Sequence, residues 1–168
     1  MKSSSQSRRT SGFTLVEIMI AVAIIGMIAV AIIGIIATMA IPAFVKARTK
    51  SSQTAFINDL RIFSDAADYY ALDTGNYFED SATGVLPAGL SDFIDDYTFT
   101  RRTPIGGLWD SEYLDTGITS GLGVHFLSDP NPGDTFMQQI DREYDDGNLT
   151  SGSFRKIAGD RYYYVMAE

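Results

Sequence analysis

Between Ile18 and Ile41 the chain runs for 24 residues without a charge, built almost wholly from Ala, Ile, Val, Met and Gly. A helix of that length reaches about 36 Å, and a bilayer core is about 30 Å thick. A cleaved secretory signal would carry an apolar stretch of roughly 7–15 residues followed by a small-x-small site. The run therefore reads as a retained, single-pass transmembrane helix. Lys2, Arg8 and Arg9 precede it within residues 1–12, which hold no acid. That asymmetry sets its N-terminal end on the cytoplasmic side.

The remainder is polar and acidic. Net charge is -8, and removing the cations Lys2, Arg8 and Arg9 takes it to -11. Phosphate neutralisation needs clustered Lys and Arg, so no nucleic-acid partner is expected. There is no cysteine. Disulfides and thiolate metal sites are excluded, and the polar part must be held by core packing.

Glu17 stands at the edge of the apolar run. A carboxylate there is costly in lipid and marks a candidate functional site, unless it rests in the headgroup zone. Its neighbours decide between these. Gly12-Phe13-Thr14-Leu15-Val16-Glu17-Ile18, behind a basic leader, resembles the processing motif of type IV prepilins and type II secretion pseudopilins. The resemblance is strong over roughly residues 8–50. It implies cleavage after Gly12 by a prepilin peptidase, N-methylation of Phe13, and a role for Glu17 in assembly. In that family the glutamate meets the N-terminal amine of a neighbouring subunit. Glu17 lies four residues after Phe13, one helical turn away. An opposite charge gained on assembly would make the buried carboxylate a registry device.

Residues 21–28 (Ala-Val-Ala-Ile-Ile-Gly-Met-Ile) recur at 29–36 with one change, which reads as a tandem duplication. Chance similarity in a low-complexity helix is the alternative. The resemblance places a helix-loosening proline about 22 residues after cleavage, and here Pro42 is eight later. Eight helical residues add about 12 Å and about 80° of rotation. Pro42 lacks an N–H and is expected to kink the helix. Gly26 and Gly34, eight apart, either permit close helix approach or are tolerated in a lipid-facing helix.

Beyond Pro42, Phe56, Leu60, Phe63, Ala67 and Tyr70 recur every three or four residues, the mark of a helix burying one face. Asp73-Thr74-Gly75-Asn76 stops it near Leu72. Four segments follow from this: a leader at 1–12, an apolar helix at 13–41, an amphipathic continuation at 42–72, and a head at 73–168. In the head, Leu90–Tyr97 reads as one or two helical turns, and 97–100 alternates like a strand. Strands are expected at Leu108–Leu114, Gly121–Leu127 and Arg161–Met166, with Tyr162, Tyr164 and Met166 on one face. Asp134 is placed as the cap of a helix to about Tyr144, with Phe136, Met137, Ile140 and Tyr144 on one side. The fold class is α+β and pilin-like, a long helical stalk packed on a small antiparallel sheet.

No motif calls for catalysis, and the chain is read as a non-enzyme. His125, the lone histidine, lacks evident triad or metal partners and reads as structural. Asp141, Asp145, Asp146 and Asn148 form an oxygen-rich cluster of the kind calcium accepts, but without EF-hand spacing. Relatives suggested by the resemblance carry a calcium loop around Asp-Pro-Trp-Gly, which is absent here. Solvated turn residues are the default, and no cofactor is expected. Many major pilins close a C-terminal disulfide, which this chain cannot do. The reading is a pseudopilus subunit of a type II secretion-like system in the inner membrane, with its head in the periplasm. Its partners would be itself, other pseudopilins, the prepilin peptidase and an inner-membrane assembly platform. Two alternatives remain: a type IV or minor pilin for adhesion, motility or DNA uptake, or an anchored periplasmic binding domain that never polymerises.

Overall fold

The computed structural model describes residues 12–115 and 117–167. The leader cations Lys2, Arg8 and Arg9 lie outside them. Two compact units divide the chain, Met1–Ala47 and Arg48–Glu168. Helix α1 (Leu15–Thr74, 60 residues) begins in the first and ends in the second, and Pro42 lies inside it. In the first unit its large apolar side chains from Leu15 to Val45 are all exposed. Among the described residues this is the one helix long and apolar enough to cross a membrane, and its apolar window buries nothing. A core helix of a soluble domain would be covered, so the segment fits a membrane anchor.

The second unit is α+β. Its strands are β1 (Leu108–Tyr113), β2 (Ser120–His125), β3 (Phe154–Ala158) and β4 (Arg161–Ala167). They form one antiparallel sheet in the order β1-β2-β4-β3. Two helices accompany them, α2 (Asp96–Thr100) and α3 (Asp134–Tyr144). Cross-strand partners share a face of the sheet. Trp109, Val124 and Tyr162 therefore lie together, as do Ser111, Leu122 and Tyr164.

That face joins the core with the buried stripe of α1: Phe56, Leu60, Phe63 and Ala67. Trp109 is clasped by two phenylalanines. Phe56 stacks parallel to it at 5.1 Å between ring centroids, and Phe63 meets it edge-on at 4.7 Å. Offset stacks and T-shaped contacts suit the ring quadrupoles and add about 0.5–1.5 kcal/mol per pair to area burial. Met137 and Ile140 of α3 close the core, with Phe136 and Tyr144 packed at its margin.

Several local expectations change. Residues 97–100 form α2 rather than a strand. Asp95 caps it, its side chain accepting from Thr98 N at 3.1 Å. One cap outweighed a four-residue alternation too short to find a ladder partner. Asp134 does not cap α3 but is its first residue, preceded by Gly133. Its carboxylate accepts instead from Lys156 Nζ at 2.7 Å and Tyr162 Oη at 2.6 Å. Strand β3 was not anticipated, because Phe154-Arg155-Lys156-Ile157-Ala158 lacks alternation. It forms as the partner of β4 across a tight turn at Gly159-Asp160. α1 runs two residues past Leu72 before Gly75 turns with φ 74°.

Phe63→Ala should lower head stability by about 3–5 kcal/mol, the usual cost of deleting a buried aromatic ring. Urea unfolding of the detergent-solubilised chain, followed by fluorescence of its single tryptophan, measures it. Gly123→Ala should be worse than surface Gly→Ala changes, because a Cβ there would run into the Tyr162 carbonyl and the Tyr163 backbone.

Candidate functional site

The start of α1 is the first candidate site. Gly12 and Phe13 precede the helix, and Phe13 is 82% exposed. Thr14 stands immediately before the first helical residue, Leu15, and Glu17 is the third residue of the helix. The two are reciprocally bonded. Thr14 N–H and Thr14 Oγ1–H each donate to Glu17 Oε2 at 2.8 Å, while Glu17 N–H donates to Thr14 Oγ1 at 3.3 Å. This is a capping box, a Thr-x-x-Glu pair that satisfies helix-start N–H groups which otherwise have no partner. The carboxylate also sits at the positive end of the helix dipole. The pattern was legible in Thr14-Leu15-Val16-Glu17, but a reading of Glu17 as an intermolecular group alone passes over it.

The second candidate is the acidic loop after α3. Asp141, Asp145 and Asp146 each bring a carboxylate oxygen within 4.8 Å of the others. The loop is folded around these side chains. Asp145 Oδ2 accepts from Ser153 N and, at 3.3 Å, from Phe154 N. Asp146 accepts from Asn148 N at 2.7 Å and Ser151 Oγ at 2.8 Å. Asn148 Oδ1 turns to Thr150, accepting from its N–H and its hydroxyl. Gly152, at φ 78°, lets the chain pass where a Cβ would meet the Asp145 carboxylate.

Asp141 differs from its neighbours. It is fully buried, and neither carboxylate oxygen has a hydrogen-bond partner. Burial first, and then repulsion from Asp146 and Asp145, push its pKa up to about 6. The Gly147 backbone N–H offsets this in part without completing a hydrogen bond. An orphaned buried carboxylate costs several kcal/mol unless something compensates it. Sequence spacing showed the cluster but not which member is buried.

His125 belongs to a third group, on the sheet face turned away from α1. Asp110, Gly123 and Tyr163 align there, as do Leu108, His125 and Arg161. Thr83 Oγ1 lies 3.0 Å from His125 Nδ1, and Asp110 Oδ2 lies 3.2 Å from it. Tyr163 Oη donates to Asp110, and Arg161 pairs with Glu112. Burial raises the Asp110 pKa, against bonds and charges from Tyr163, His125 and Arg161 that lower it. Burial likewise raises that of Tyr163. These groups satisfy one another, so His125 ties the 81–85 loop to the sheet.

The family model described as the prokaryotic N-terminal methylation motif matches residues 7–31. The type II secretion system core protein G of Aeromonas hydrophila is 33% identical over 72 residues, 43% of this chain. The match covers 45% of that relative, so the chain aligns with about half its length. No solved structure matches. The chain thus joins a prepilin-type N-terminal motif to an α+β head and is similar to a type II secretion pseudopilin.

Proposed function

We propose that this chain is a structural subunit of a type II secretion-like pseudopilus, held in the inner membrane by the first half of α1 with its head in the periplasm. A prepilin peptidase cuts after Gly12 and methylates Phe13. Assembly then proceeds by bundling of the apolar helices with copies of itself and other pseudopilins on an inner-membrane platform. The carrying observation is the methylation motif at residues 7–31 running directly into a helix whose apolar half buries nothing. In this reading Glu17 is first held by Thr14 and then exchanges to the amine of Phe13 on a neighbour. No catalytic residue is assigned.

We also propose that the acidic loop takes a divalent cation, calcium by preference, on Asp141, Asp145 and Asp146. Hard carboxylate oxygens suit it. The buried, unpartnered Asp141 carboxylate supports this, because a cation there would compensate an otherwise unmatched charge.

Three outcomes test these readings. The mature protein should have the mass of residues 13–168 plus one methyl, and an uncut Met1 terminus would sink the assignment. Glu17→Gln retains a capping side chain, since Gln also serves in the box. It should leave anchor helicity unchanged yet reduce filament yield about tenfold or more, while Thr14→Val should loosen the helix start by about 1 kcal/mol. Wild-type yield from Glu17→Gln in a sheared-pilus assay would remove the amine pairing.

The cation reading has a pH signature. Asp141 has a folded pKa raised from 3.8 to about 6, so it binds its proton more tightly folded than unfolded. In chelator the head should therefore lose stability as pH rises from about 4 to about 6. Calcium should restore the melting temperature above pH 6. Asp141→Asn should flatten the pH profile and abolish the calcium response, and a calcium response surviving in that variant would refute the site.

A further inference from the structure

The outward face of α1 in the second unit is not uniformly polar. Asn58, Ile62, Asp65, Tyr69 and Leu72 are spaced by four, three, four and three, the rhythm of a helix seam. Ile62 is 58% exposed, Tyr69 64% and Leu72 81%. Asp65, Asp68 and Asp73 surround these side chains, and none has an ion-pair partner among the described residues. The last turn of α1 carries no basic residue, so the negative end of the helix dipole adds to theirs. Burial and repulsion from Asp65 already raise the pKa of Asp68. An apolar knob ringed by unmatched negative charge calls for a basic, partly apolar partner.

The complement lies on the same chain. Arg48, at the other end of this half of α1, is exposed and has no acidic partner among the described residues. It borders a shallow groove of about 220 Å³ lined also by Ser52, Pro104, Ile105, Pro132 and Phe136. The nearby cations are already engaged: Lys50 by Glu143, Arg101 by Asp59 and Arg102 by Asp129. Groove and knob stand 17–24 residues apart along α1, about 26–36 Å. One chain cannot bring its own knob into its own groove along a single helix.

We propose that the Tyr69–Leu72 knob of one copy docks into the Arg48 groove of a second copy displaced about 30 Å along the helix direction, with Asp65 and Asp68 facing Arg48. Two different patches meet, so the contact is head-to-tail and leaves a free knob and a free groove at the two ends. Such an interface does not close on itself. It propagates an open filament, and it rests on the assembly reading above while assigning the surfaces that reading leaves unspecified.

The chain has no cysteine, so introduced thiols report only the contacts they are placed to test. In the full-length protein in membranes, Ser52→Cys combined with Leu72→Cys should give an oxidation ladder of dimer, trimer and higher species, which neither single variant gives. Arg48→Glu added to that pair should cut the ladder about fivefold, the scale of an exposed ion pair turned repulsive. Asp65→Lys with Asp68→Lys should then bring it back. Ile25→Cys in the apolar half reports helix bundling independently. Cross-linking through Ile25→Cys without a 52–72 ladder would overturn this interface and leave the assembly reading standing. Loss of both would overturn the two together. A ladder indifferent to Arg48→Glu would overturn the charge pairing, and capture of a different protein at Leu72→Cys would assign the knob to another occupant.

Discussion

The seam between α1 and the sheet carries the second unit. Phe56 and Phe63 lie two helical turns apart and hold Trp109 from its face and from its edge. A single tryptophan on an edge strand would otherwise leave β1 with one neighbour and an open apolar flank. Clasped by the helix, it fixes which face of the sheet is inside. The period-two rule then dictates the rest. Trp109, Leu122, Val124, Tyr162 and Tyr164 turn toward α1, while Asp110, His125 and Tyr163 are committed to the far side. The outer face thus receives titratable groups because register leaves them nowhere else, and they survive burial by bonding to one another.

Glycine makes the sheet close. At Gly123 a side chain would strike the Tyr162 carbonyl, and at Gly121 the Ile118 side chain lies where a Cβ would go. On the face away from α1, the Gly121 and Gly123 positions of strand β2 therefore contribute backbone more than volume, and neighbouring large residues cover them. This is the sheet equivalent of small residues in a helix seam: it trades packing from one strand for closeness of the others.

The long elements were readable in the sequence because they repeat a period many times. The apolar run, the 56-60-63-67-70 stripe and the tyrosine-rich last strand each carry their own geometry. Short elements were not. α2 rests on one side chain, Asp95, and β3 on its pairing with β4 across the turn, so neither announces itself in the periodicity of its own residues. The Glu17 position was legible, and its bond to Thr14 was equally so once the spacing is read as a helix start. Asp141 was readable as an acid but not as a buried one. Asp141 is buried together with Met137 and Ile140 of α3, and it is burial that separates it from Asp145 and Asp146. The exposed Tyr69–Leu72 end was hidden for the opposite reason: apolar residues in a helix read as core until the fold shows which of two faces is taken.

The reciprocal bond between Thr14 and Glu17 has a consequence for a chain waiting in a bilayer. A carboxylate with no companion would draw water inward or take up a proton, and either would disturb the helix around it. Here the first turn of the helix shelters its own charge. On the proposed reading, a solitary copy would rest in the membrane without urgency, and a reserve of such copies would accumulate. In the assembly proposed above, what would move one of them into a larger structure is an exchange of partners for the glutamate, not the relief of a defect, and exchanges of that kind run in both directions.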